Sequence, residues 1–198
     1  GARQIYLPTL DSAAHCAVFG PGGSHNRRVT ETRLPQPGIR ILDETGTLRR
    51  EVEIIVDLVR EAGILLGTAH LSREEIFVLA EFCRTVGFGG LLITHPYFTP
   101  PRLSVADQAA LANRGAWIEL CGGDLYPIPG CATLDNCRET IAAVGDRSVI
   151  LSSDAGQPRK SLPAEVLRVF AQCLMEKGIS QEQIDRMTKE NPARLLRL

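Results

Sequence analysis

Three short apolar runs, each ending in a residue that can bind a metal ion or accept a proton, are the strongest constraint on this chain. The run before Asp154 is rich in Val, Ile and Leu and is followed by a glycine and a proline, which is typical of a buried strand. The runs that end at His70 and His95 have the same form, and a helical pattern follows each. Parallel strands place their carboxyl ends at one edge of a sheet, so the three side chains are expected to share a face.

Strand and helix patterns alternate along the sequence, which predicts an α/β fold with a parallel sheet and right-handed crossovers. About five barrel-type strands are expected, beginning with one at residues 4–7. We expect a single domain over residues 1–198, with a long loop and hairpin insertion at 10–50 and helices over 161–198.

Several helix starts carry capping signals. Ser72 with Glu75 and Ser180 with Gln183 have the spacing of capping boxes. Ser161 is predicted to cap the helix that follows it. Asn191 is predicted to cap the last helix, with Pro192 at its first position.

Composition excludes some classes of protein. The chain has 22 Lys and Arg against 23 Asp and Glu, a net charge of −1, so it lacks the basic surface expected of a nucleic-acid or acidic-membrane partner. No apolar run approaches the roughly 20 residues of a membrane span. The six cysteines contain no C-x-x-C pair. These features and the absence of a signal-peptide pattern favour a reduced, cytoplasmic protein.

Four segments together resemble the amidohydrolase superfamily, whose members are metal-dependent hydrolases built on a (β/α)8 TIM barrel. In that family, histidines end strands five and six, an aspartate ends strand eight, and an Asn-Pro-Ala segment closes the chain. The corresponding segments here are Gly67-Thr68-Ala69-His70-Leu71-Ser72, Ile93-Thr94-His95-Pro96, Ser152-Ser153-Asp154 and Glu190-Asn191-Pro192-Ala193-Arg194-Leu195-Leu196.

The sequence also departs from the family pattern. The His-x-His of strand one is absent, because no two of the four histidines are separated by one residue. Pro8 and Thr9 stand where strand four often carries a carboxylated lysine. Strands one to three are missing, so the resemblance implies an incomplete barrel. Its unpaired strand edges predict either a missing N-terminal half or association of identical chains.

The resemblance implies that His70 and His95 are metal ligands and that Asp154 ligates the metal or accepts a proton from the nucleophilic water. Zinc is the expected ion, with manganese or iron as alternatives. Hydrogen-bonded strand-end histidines and a turn or capping aspartate are the simpler interpretation of the same residues.

Three further residues are weaker candidates. Glu119 lies near the end of its strand and could point into the same mouth, or could be an ordinary lining carboxylate. His15 and His25 fall in the predicted loop, where they could contact a substrate or metal or could simply be solvated.

The function predicted from the sequence is hydrolysis of an amide, lactone or ester-like bond of a small molecule by metal-activated water. The alternative is a non-catalytic, ligand-binding or structural α/β domain that has lost its metal site.

Overall fold

The computed structural model describes residues 1–20, 38–125, 132–157 and 161–198. Within these ranges, five strands form one sheet in the order β1-β2-β3-β4-β5, and every neighbouring pair is parallel. The predicted parallel α/β arrangement is therefore confirmed. The strands are β1 (Gln4–Tyr6), β2 (Leu65–Gly67), β3 (Leu91–Thr94), β4 (Trp117–Cys121) and β5 (Val149–Ser152).

Helices connect the strands and follow the last one. They are α1 (Ala13–Phe19), α2 (Arg50–Ala62), α3 (Arg73–Thr85), α4 (Val105–Ala112), α5 (Leu134–Val144), α6 (Pro163–Glu176), α7 (Gln181–Asp185) and α8 (Asn191–Leu196). Short 3-10 turns occupy Gly122–Leu125 and Asp146–Ser148, and a π-helical turn at Arg186–Glu190 joins α7 to α8. None of the helices in the described ranges is long and apolar enough to cross a membrane.

The two faces of the sheet have different surroundings. On β4, Ile118 and Leu120 belong to the hydrophobic core formed with the helices, whereas Glu119 is not part of that core. Because side chains alternate across a strand, Glu119 lies on the face opposite the helices. Glu119 pairs with Thr94 of β3 and Ile150 of β5, which places the three residues side by side along this face.

The capping-box predictions are confirmed at two helix starts. The Ser72 hydroxyl accepts a hydrogen bond from the Glu75 amide, and Glu75 in return accepts one from the Ser72 amide. Ser180 and Gln183 form the equivalent box at α7. Glu75 is almost fully buried and also accepts a hydrogen bond of 2.9 Å from the Ile41 amide, so the same carboxylate anchors the segment before α2.

Two capping predictions are wrong. Leu162, not Ser161, is the N-cap residue of α6. Asn191 has helical backbone angles because the chain enters α8 directly from the preceding π-helical turn. Its buried side chain instead donates hydrogen bonds of 2.7 Å to the carbonyl oxygens of Asp146 and Val149, and so fastens the C-terminal helices to β5.

The predicted loop and hairpin insertion at 10–50 also needs correction, because α1 lies within it. Ser12 caps this helix by accepting a hydrogen bond from the Ala14 amide. Residues 21–37, including His25, lie outside the described ranges. The expected hairpin near residues 38–48 is reduced to a single antiparallel bridge between Leu42 and Leu48.

Candidate functional site

The backbone has an unusual conformation just after each of the three strands that lead to His70, His95 and Asp154. His95 directly follows β3, His70 follows β2 by three residues, and Asp154 follows β5 by two. The φ angles of Ala69, His95 and Asp154 are 47°, 34° and 42°, which is the left-handed region that non-glycine residues rarely adopt. Such strain is concentrated at functional sites in proteins, and here it occurs at the same three strand ends that the sequence singled out.

Three histidine rings lie together at this end of the sheet. The His70 and His95 ring centroids are 5.0 Å apart, with the ring planes tilted by 48°. His15 from α1 stacks on His70 at 4.6 Å with an interplanar angle of 18°. His15 and His95 are buried, whereas His70 is half-buried. The structure therefore brings the two predicted metal-site histidines together with His15, which the sequence analysis identified as a weaker candidate.

Phe98 forms an aromatic wall beside the histidines. Its ring centroid lies 5.0 Å from that of His70 and 5.1 Å from that of His95. The Phe19 ring centroid lies 4.5 Å from that of His15 and 6.0 Å from that of Phe98, so the two phenylalanines form one continuous apolar wall. The sequence analysis did not identify either phenylalanine. Phe98 could have been suspected from its position three residues after His95, but nothing in the sequence indicated that Phe19 belongs to a helix.

Helix α1 is held against the His70 strand end by its first turn. The Ser12 hydroxyl donates a 2.6 Å hydrogen bond to the His70 carbonyl oxygen, and the Ala13 amide donates to Ile39. Gly38 has a φ of 99°, and a Cβ atom added there would lie 2.8 Å from the Ala13 Cα. A glycine at this position therefore allows the close backbone approach that carries His15 into the cluster.

Burial governs the charge state of His95. Removal from solvent lowers the pKa of its imidazole, the negative charge of Asp154 opposes that effect, and the neighbouring His15 adds to it. Within the described part of the chain, the His95 Nδ1 atom is buried and has no hydrogen-bond partner. The net effect favours a neutral ring, which is the form that binds metal ions.

Burial and the charge of Asp154 affect the pKa of Glu119, as they affect that of His95. Burial raises the pKa of Glu119 above its ordinary value, and the charge of Asp154 raises it further, while the nearby Ser152 and Thr94 hydroxyls lower it. Its Oε2 atom lacks a hydrogen-bond partner with good geometry among the described residues. A buried carboxyl atom in this state suits contact with a polar group of a ligand.

The pKa of Tyr6, on the first strand of the sheet, is affected by the same acidic groups. Burial raises the pKa of the Tyr6 phenol to about 12, with further contributions from Glu119, Cys121 and Asp154. These three residues belong to the other end of the sheet, at or just after β4 and β5. The sheet therefore curves enough for charges near the last two strands to raise the pKa of a side chain on β1.

The side chains at this end of the sheet are of the types that bind divalent metal ions, but they are not arranged around one point. Two imidazoles and a carboxylate are ordinary zinc ligands. The buried His95 Nδ1 can bind a metal ion and has no hydrogen-bond partner in the described structure. Among the described residues, however, no group of three or more His, Cys, Asp or Glu side chains surrounds a single point. Asp154 is exposed, and its influence on His95 is electrostatic.

Comparison with solved structures shows that the fold is that of (β/α) barrels. A mutant of the organophosphorus hydrolase from Deinococcus radiodurans matches with a TM-score of 0.59 and 20% identity, over 73% of this chain and 49% of that one. An amidohydrolase from Pseudomonas aeruginosa matches with a TM-score of 0.56 and 15% identity, over 77% of this chain and 57% of that one. The predicted incomplete barrel is thus confirmed at the level of fold.

Sequence comparison gives the family. A family of unknown function, DUF6282, matches residues 1–119, which is more than half of the chain, and the chain belongs to this family. His15, His70, His95 and Glu119 lie within the matched range, and Asp154 lies beyond it. The 4-hydroxy-tetrahydrodipicolinate synthase of Geotalea uraniireducens is 26% identical over 112 residues, covering 52% of this chain and 35% of that protein. The chain therefore spans about a third of that curated relative and about half of the barrel structures.

Proposed function

We propose that this chain carries part of the active site of a metal-dependent hydrolase acting on an amide, lactone or ester-like bond. The observation that carries the proposal is the proximity of His70 and His95, whose ring centroids are 5.0 Å apart. Asp154 follows another strand at the same end of the sheet. Several proteins with the same fold, namely an engineered lactonase template, an organophosphorus hydrolase and an amidohydrolase, support a hydrolytic reaction.

On this proposal, His70 and His95 hold a divalent ion, with zinc as the first choice and manganese or iron as alternatives. Such an ion would supply a water molecule of lowered pKa and an electrophile for a carbonyl or phosphoryl oxygen. The low pKa of buried His95 keeps its ring neutral and available as a ligand. Because the chain spans about half of the similar barrels, further ligands are proposed to come from protein outside it.

Asp154 is proposed to accept a proton from the attacking water at its carboxylate oxygens. Its exposed position at the strand end leaves the carboxylate accessible to solvent and substrate. Glu119 is a different case, because its raised pKa favours a protonated carboxyl that can donate a hydrogen bond to a substrate oxygen. Phe98 would exclude water from the histidine side of a small-molecule substrate.

A substrate panel tests the proposal directly. The zinc-loaded chain, and the longest natural polypeptide that contains it, are assayed with aryl lactones, aryl amides and phosphotriesters. We expect turnover of at least one class and a loss of at least about a hundredfold in kcat for Asp154→Asn, since positioned proton transfer contributes about 10² to 10⁴. Glu61→Gln, which alters an exposed carboxylate in the last turn of α2, is the control and should retain activity.

Two results would contradict the proposal. One is metal-loaded, folded protein that turns over none of the panel. The other is turnover that persists unchanged in Asp154→Asn and in His95→Ala. Small-molecule binding without turnover would instead favour the non-catalytic, ligand-binding alternative.

A further inference from the structure

We infer that His15 is a positioning residue, whose ring fixes the orientation of the His70 imidazole from outside the strand framework. The inference deepens the proposed function, because it assigns a role to a helix that the barrel pattern does not require. It rests on the proposal that His70 is a ligand.

A histidine ring needs an external partner to hold its orientation. The torsion that turns the ring about its Cβ–Cγ bond is broad, so side-chain rotamer preferences alone do not fix the direction of the ring nitrogens. His70 lies three residues beyond its strand and is only half-buried, so the sheet does not enclose it. Contacts with neighbouring rings restrict the rotation of the His70 imidazole and so the direction of its nitrogens.

The contact between His15 and His70 is made through the ring faces. Their planes are within 18° of parallel and their centroids are 4.6 Å apart, whereas the rings of His95 and Phe98 are tilted relative to His70. Offset stacking of this kind is a favoured aromatic arrangement. The nitrogen lone pairs of an imidazole lie in the ring plane, so a neighbour stacked on its face leaves those nitrogens able to bind a ligand at the ring edge.

His15 itself has little freedom to move. It is fully buried, and Phe19 packs against it at 4.5 Å. The Ser12 hydroxyl joins the start of the same helix to the His70 carbonyl oxygen at 2.6 Å. Helix α1 thus holds both the backbone and the ring of His70, and the two contacts arise three residues apart.

The test uses the zinc ion alone and a ring-preserving substitution. Zinc affinity and the ¹H–¹³C spectrum of the histidine rings are measured for the full chain and for His15→Ala, His15→Phe and Glu61→Gln, the last altering an exposed carboxylate of α2. Circular dichroism confirms that each variant is folded. We expect His15→Ala to weaken zinc binding about tenfold, the lower end of the usual effect of removing a group that orients a ligand. His15→Phe should restore affinity to within about threefold, and Glu61→Gln should match the unmodified chain.

The spectrum provides a readout that does not depend on metal. Without zinc, the His70 ring resonances should shift and broaden in His15→Ala and should stay sharp in His15→Phe. Unchanged His70 resonances in His15→Ala would overturn the inference. A His15→Phe variant as weak in zinc binding as His15→Ala would also overturn it, since His15 would then act through its nitrogens. Absence of zinc binding in the unmodified chain would contradict the proposed function, while the metal-free spectra would still decide the role of His15.

Discussion

The Ser12 hydroxyl donates a 2.6 Å hydrogen bond to the carbonyl oxygen of His70, 58 residues further along the chain. The same hydroxyl accepts a hydrogen bond from the Ala14 amide and so begins helix α1. One buried side chain therefore caps a helix and fastens it to the end of a site strand. This double role links the fold of the N-terminal segment to the geometry of the histidine cluster.

Replacing Ser12 with Ala should destabilise the protein by about 2 kcal/mol. Loss of a serine N-cap costs roughly 1 kcal/mol, and loss of a buried hydrogen bond adds a similar amount. Urea unfolding followed by circular dichroism measures the change. Ser161→Ala is the matched control, because Ser161 is exposed and is not the N-cap of its helix. Equal stability of the two variants would show that the Ser12 contacts contribute nothing measurable.

Replacing Asn191 with Asp should destabilise the protein at least as much as Asn191→Ala, by about 2–3 kcal/mol. The Asn191 amide donates to the carbonyl oxygens of Asp146 and Val149, and a carboxylate can only accept. Thermal unfolding measures both variants beside Asn113→Ala, which alters an exposed asparagine and should change stability little. An Asn191→Asp variant as stable as the unmodified protein would mean that these two hydrogen bonds do not hold the C-terminal helices.

The Tyr6 phenol should titrate near pH 12, and Glu119→Gln should lower its pKa toward the ordinary value of 10.0. Burial is the main cause of the raised pKa, so the variant removes only the part due to the Glu119 charge. Ultraviolet absorbance of the phenolate, taken as the difference from Tyr6→Phe, isolates this residue. A Tyr6 pKa that is indifferent to Glu119→Gln would show that β1 does not approach the other end of the sheet.

Asp107 should make stability depend on acid pH. The Arg73 guanidinium and the Ser104 hydroxyl and amide lower the pKa of Asp107 to about 2, below its ordinary 3.8. A lowered folded-state pKa stabilises the protein at pH values above 3.8, and this contribution is lost as the pH falls toward 2. Because Arg73 is exposed to solvent, the effect is expected to be about 1 kcal/mol.

Urea midpoints between pH 6 and pH 2 check the Asp107 prediction. The midpoint of the unmodified chain should fall more steeply with acidification than that of Asp107→Asn. Asp135→Asn removes the fully exposed partner of Lys177 and is the comparison variant. Identical pH profiles for the unmodified chain and Asp107→Asn would contradict the prediction.

Local sequence signals predicted the elements that build the sheet. Alternation of short apolar runs with amphipathic segments predicted the strands, and the helices expected after the His70 and His95 runs occur as α3 and α4. The proximity of His70 and His95 could be predicted because parallel strands end at the same edge of a sheet. These predictions depend on residues close together in sequence.

Long-range contacts explain what the sequence patterns missed. Helix α1 is seven residues long and has no charged residue in its first or last turn, so its local signal is weak. The bond from Ser12 to His70 and the close approach of Gly38 stabilise it through tertiary contacts. Asn191 resembles a cap in sequence, but the chain is already helical there and the side chain turns to β5. Neither effect can be derived from neighbouring residues alone.

The central claim is that His70 and His95 share a divalent ion, and zinc titration of metal-free protein tests it most directly. The unmodified chain and the His70→Ala/His95→Ala double variant are stripped with chelator and titrated calorimetrically with zinc, with Glu61→Gln on the exposed face of α2 as control. We predict saturable binding by the unmodified chain and by Glu61→Gln, and a loss of at least about a hundredfold in affinity in the double variant. Equal zinc binding by the unmodified chain and the double variant, or no binding by either, would contradict the account.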